Sequence, residues 1–79
     1  MLTIQTPQQL GAAIRGARKQ LGLTQAQLAL AAGVGARFVV ELEAGKPTVR
    51  LQHTLRVLAA LGGEVQLAGL SSAGGDHAA

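Results

Sequence analysis

Cysteine, tryptophan and tyrosine are missing from the 79-residue chain, phenylalanine occurs once and proline twice. Without cysteine no disulfide can close a loop and no thiolate can hold zinc. The two histidines, His53 and His77, stand too far apart to form the close ligand pair of a small zinc site, so neither metal nor cofactor is expected. These absences matter because a chain of this length buries only a little over ~60% of its unfolded surface, and its own core confers marginal stability. Association with a second copy is the reinforcement that remains. Negative charge is also scarce: four acidic residues face seven basic ones, for a net +3 and a pI near 10.8. That balance suits a polyanionic partner such as nucleic acid without requiring one. Long apolar runs are lacking too. The longest stretch free of charged or strongly polar side chains, 28–36, is well short of the ~18 residues a bilayer span needs, so no membrane partner is expected. The opening Met-Leu-Thr-Ile-Gln has no basic stretch ahead of an apolar one, and a cytoplasmic, nucleoid-associated location is the expectation.

Catalytic chemistry finds little support. Glu41 and Glu43 are two apart on a helix, so they face different directions and cannot work as a paired acid and base. Ser71, Ser72 and His77 lack an orienting carboxylate. Gly33-Val34-Gly35 follows a helical pattern instead of a strand and lacks a third glycine, which marks a turn and not a phosphate loop. The chain is therefore not expected to be an enzyme.

What is present is a helical rhythm punctuated by caps. Thr6-Pro7-Gln8-Gln9 combines a hydroxyl cap, a proline at the first helical position and a glutamine three residues on, so a helix begins at Pro7. Leu10, Ile14, Ala17 and Leu21 form its apolar stripe and Gly22 ends it. Thr24-Gln25-Ala26-Gln27 repeats the box, and Leu28, Ala29 and Ala32 give a short second helix up to Gly33. A third runs from Ala36 to Ala44 with Val39 and Leu42 inward, closed by Gly45 and Pro47. Thr48 opens a fourth, with a stripe of Leu51, Leu55, Leu58 and Leu61 and a stop at Gly62-Gly63. His53, near its start, reads as a surface residue. Glu64-Val65-Gln66-Leu67 alternates polar with apolar and predicts a strand, about 64–68, and Leu2 and Ile4 give a weaker signal for an ordered arm. The expected fold is all-α: four compact helices over a domain of residues 1–69, followed by a flexible tail, 70–79, that has nothing bulky to bury.

The segment from Gln25 to Leu42 decides the reading. A small residue, Ala29, permits a tight helix crossing, Gly33 can take the positive φ of a turn, and Leu28, Val34, Val39 and Leu42 fill the wedge. Two helices of an ordinary bundle would account for these core positions, but not for the exposed side of the third helix. Over roughly residues 6–62 the chain resembles the lambda-repressor-like, XRE-type helix-turn-helix family. In such a motif the third helix enters the major groove, and Ala36, Arg37, Val40 and Glu41 face away from the Val39/Leu42 stripe. Arg37 suits guanine O6 and N7, Glu41 suits cytosine N4, and Ala36 and Val40 suit thymine methyls. Many relatives carry polar residues where Ala36 and Val40 stand, so fewer polar base contacts are expected here. The resemblance also implies that Gln25, Lys46 and Arg50 contact phosphates, and that Arg18 and Glu43 form a partly buried structural ion pair.

The Thr-Pro-Gln-Gln-Leu opening, the helix-turn-helix core and an Ala-Leu-Gly-Gly stop before a strand are similar to the HipB subgroup of antitoxins, over about residues 4–68. Members pair with a HipA-type serine/threonine kinase toxin, bind their own operator and repress both genes. The resemblance thus implies a repressor that binds double-stranded DNA at a palindromic operator. It acts as a homodimer whose strands, bearing Val65 and Leu67, pair across a two-fold axis. A stand-alone regulator without a toxin, or a dimeric interaction adaptor, would share the layout.

Overall fold

The computed structural model describes residues 2–69, and the tail expected over 70–79 lies outside them. The order is α1 (Pro7–Gln20), α2 (Gln25–Ala32), α3 (Ala36–Glu43) and α4 (Leu51–Ala60). None of these helices is long and apolar enough to cross a membrane.

Each helix start follows from local chemistry. Thr6 Oγ1 accepts the Gln9 N–H at 3.1 Å, while Gln9 Oε1 accepts the N–H of Gln5 at 2.6 Å, one residue earlier than a standard box. At α2 the box is complete: Thr24 Oγ1 accepts from the Gln27 N–H and Gln27 Oε1 accepts from the Thr24 N–H. The turn after α2 depends on Gly33 at φ 71°, which brings the Val34 N–H to Ala29 O at 3.0 Å. The fourth helix begins at Leu51, later than the expected Thr48, with Arg50 as its N-cap.

Ile14, Leu28, Ala29, Val39, Leu42 and Val57 form the core, with Leu10, Val34, Phe38, Leu58 and Leu61 among the residues packed around it. Gly11 is where α1 meets the end of α3: a Cβ there would lie 2.5 Å from Leu42 O and 2.7 Å from Glu43 O. Three expectations about burial change. Leu21 is exposed, and the buried residue near the end of α1 is Arg18. The α4 stripe is rotated: Thr54 and Val57 are inward, while Leu51 and Leu55 remain 71% and 43% exposed because no element among the described residues covers them. The buried Thr54 hydroxyl is satisfied by Arg50 O at 2.8 Å. Finally, His53 is half-buried, its ring edge-on to Phe38 at a centroid distance of 5.3 Å.

No strand forms among the described residues, and Val65 and Leu67 are exposed. A strand needs a ladder partner for its backbone groups, and the described residues offer none at this edge. Residues 64–67 instead line an open apolar groove of about 550 Å³ together with Leu2, Ile4, Leu51, Leu55 and Leu58.

Candidate nucleic-acid interface

A buried polar knot fixes the angle between the helices of the motif. Arg18, on α1, donates from Nε to Glu43 Oε2 at 2.6 Å and from its second terminal nitrogen to Oε1 at 3.0 Å. Its first terminal nitrogen donates to Leu23 O, in the loop before α2, at 2.8 Å. Gln25, the first residue of α2, donates its side-chain N–H to Glu43 Oε1 at 3.1 Å. The Arg18 and Glu43 side chains are 10% and 3% exposed, so this bidentate pair operates largely out of water. Burial pushes the Glu43 carboxyl up, and the hydrogen bonds from Arg18 and Gln25 outweigh it, leaving the group below its ordinary value. Sequence reasoning did not anticipate the bond from Gln25. The side-chain nitrogen expected on a phosphate is committed to Glu43, which leaves the backbone N–H at the start of α2 facing outward from the helix terminus.

A second cluster lies on the outer face of α3. Ala36, Arg37 and Val40 are exposed, and the Arg37 side chain is 90% accessible. Glu41, half-buried, lies between two cations: Arg37 Nε is 3.4 Å from Oε2 and Lys46 Nζ is 3.3 Å from Oε1. The carboxyl is held below its ordinary value, chiefly by the hydrogen bond from Lys46. Arg50 is exposed at the α4 N-cap and makes no ion pair among the described residues. The sequence-identified residues thus separate into an inner group, Arg18, Gln25 and Glu43, and an outer group, Ala36, Arg37, Val40, Glu41 and Lys46. Val65 and Leu67 lie apart from both, in the groove beside α4.

The helix-turn-helix family model matches residues 14–67, which hold the whole of α2, the turn and α3. The chain belongs to the XRE-type helix-turn-helix family. Members of this family are DNA-binding transcriptional regulators. Over 64 residues, 81% of the chain and 84% of the relative, this family member is 48% identical to an uncharacterised HTH-type transcriptional regulator, y4mF, of Sinorhizobium fredii. Among solved structures, it superposes with a TM-score of 0.80 and 25% identity on a chain of the HipA-HipB-O2-O3 complex, covering 90% of this chain and 100% of that one. A HipB-O4 20mer complex matches with the same score, identity and coverage. The fold of this helix-turn-helix protein is therefore that of HipB.

Proposed function

We propose that this transcriptional regulator is a sequence-specific repressor acting as a HipB-like antitoxin. As a homodimer it binds a palindromic operator through α3 and neutralises a HipA-like serine/threonine kinase toxin. The observation that carries this reading is the α2–turn–α3 unit, held rigid by the Arg18–Glu43–Gln25 knot, that exposes Arg37 and Val40 on one face. A rigid unit with a free outer face is what docking in the major groove requires. Arg37 then reads guanine, Glu41 accepts from cytosine, Ala36 and Val40 touch thymine methyls, and Lys46, Arg50 and the amide end of α2 at Gln25 fix the backbone register.

The homodimer is supported by the groove in which Leu51, Leu55, Val65 and Leu67 are left open beside α4. A second copy covers these apolar side chains and gives residues 64–68 the strand partner they lack, setting two α3 helices about 34 Å apart along the duplex. The kinase partner rests on likeness to HipB in its complex with HipA.

Two experiments test the reading. Selection from a random duplex pool should enrich a palindrome for the wild type, and R37A should lose that preference; an R37A protein with unchanged affinity and preference would sink the α3 assignment. Affinity capture from source cells, after nuclease digestion to remove DNA bridges, should recover a stoichiometric kinase. Recovery of the homodimer alone would favour a stand-alone regulator.

A further inference from the structure

The proposed DNA-facing surface contains one acidic residue that touches two cations, Arg37 and Lys46, and the backbone turn after α3 brings Lys46 within its reach. Gly45, at φ 85°, reverses the chain after α3 so that the Lys46 N–H donates to Glu41 O at 3.1 Å and the Gly45 N–H to Leu42 O at 3.1 Å. These two bonds form a Schellman closure, which returns the Lys46 backbone to the Glu41 carbonyl and leaves its side chain within reach of the Glu41 carboxylate, 3.3 Å from Nζ to Oε1. Gly45 is required for a second reason, since a Cβ there would lie 3.0 Å from Gln8 Cα. The Arg37–Glu41 contact, with the arginine on the N-terminal side, is the weaker orientation of an i,i+4 pair. The other glutamates of the described residues are employed elsewhere: Glu43 holds Arg18, and Glu64 accepts from Gln66 at 2.6 Å.

We propose that Glu41 is a specificity-determining residue that withholds Lys46 and Arg37 from DNA lacking the operator sequence. This inference rests on the base-reading assignment above. On the operator, a cytosine N4 donor satisfies the Glu41 carboxylate, and Lys46 swings to a phosphate while Arg37 takes its guanine. On any other sequence the carboxylate keeps both cations and itself brings a negative charge against the polyanion. Non-operator DNA is thus bound with one phosphate contact fewer per subunit than the operator. The cost falls on wrong sequences, which is how charge placement creates discrimination instead of raw affinity.

The test uses the full-length protein with the selected duplex and a scrambled duplex of equal length, titrated over a range of salt concentrations. D76N serves as a control that removes one negative charge elsewhere in the chain. E41Q should tighten binding to the scrambled duplex roughly tenfold and steepen its salt slope by about 2, one contact per subunit of a dimer, while the operator, which loses the carboxylate acceptor for its cytosine, shows no such gain and the operator-to-scrambled ratio falls by at least that factor. Equal gains on both duplexes, matching those of D76N, would show that Glu41 contributes only general charge and would overturn the proposal. A second readout needs no DNA: carboxyl NMR of the folded protein should show the Glu41 titration rising towards 4.5 in K46M, and an unmoved titration likewise rejects the tie. If R37A keeps the operator preference, the base-reading assignment fails. If R37A loses it while E41Q leaves the discrimination ratio unchanged, the assignment stands and the role of Glu41 alone is refuted.

Discussion

At the residue scale, stability centres on a few atoms at the junction of α1 and α3. The Arg18 guanidinium spends its donors on Glu43 and Leu23 O, so truncating it strands a buried carboxylate. R18M should therefore cost about 3 kcal/mol, read as a fall in melting temperature at fixed protein concentration. The pH dependence has a definite sign. Glu43 titrates below its ordinary 4.5 in the folded chain, so its contribution is complete above that value and is lost as the pH falls through the lower, folded one. Acid should destabilise the wild type, and E43Q, already weaker at neutral pH, should lose less on further acidification from about pH 5 to 3, measured by thermal melts across that range. Gly11 is a second critical atom-scale contact. G11A drives a methyl into the Leu42 and Glu43 carbonyl oxygens and should destabilise by about 2 kcal/mol or more despite favouring helix. The sequence marks Arg18 and Glu43 only through family resemblance, because a pairing 25 residues apart leaves no local signal. Gly11 leaves none either, for a close backbone approach is a property of two helices.

At the element scale, the sequence is most readable where the signal is local. Thr6 and Thr24 announce their helices, since a cap is a contact among residues three apart. T24A should cost about 1 kcal/mol and fray the start of α2, detectable as faster amide exchange at Gln27. Gly33 is equally legible, because its φ of 71° is one that other residues avoid. The α4 stripe departs from the phase its sequence predicts at the N-terminal end. Leucines at 51 and 55 carry the helical period of a buried face, but periodicity reports that a face is apolar and not what covers it. His53 reads as a surface residue from the sequence, and its pairing with Phe38 leaves no local signal, for a related reason: one ring in each of two helices forms a contact that only the helix crossing creates.

At the scale of the whole molecule, the proposed homodimer joins the open groove beside α4 and the exposed α3 face in one assembly. Changing Leu55 to Asp should leave the fold of the single chain nearly intact, because that side chain contributes little to the core, yet shift the protein to monomer in light scattering. Operator affinity should fall with it, since two half-sites are no longer held in register. The three proposed phosphate contacts per subunit, about six in the proposed dimer, predict a slope near −5 for log K against log salt, and the monomeric variant should show roughly half of that.

The sequence by itself determined the four helices, the turn at Gly33 and the family, because caps, glycine conformations and 3.6-residue periodicity are set by neighbours within a few positions. Only the tertiary structure decided that Gln25 serves Glu43, that Glu41 lies between Arg37 and Lys46, and that Leu51 and Leu55 look outward. Each of those depends on which helix faces come together at what angle, and a helix crossing is fixed by packing among residues far apart in the chain.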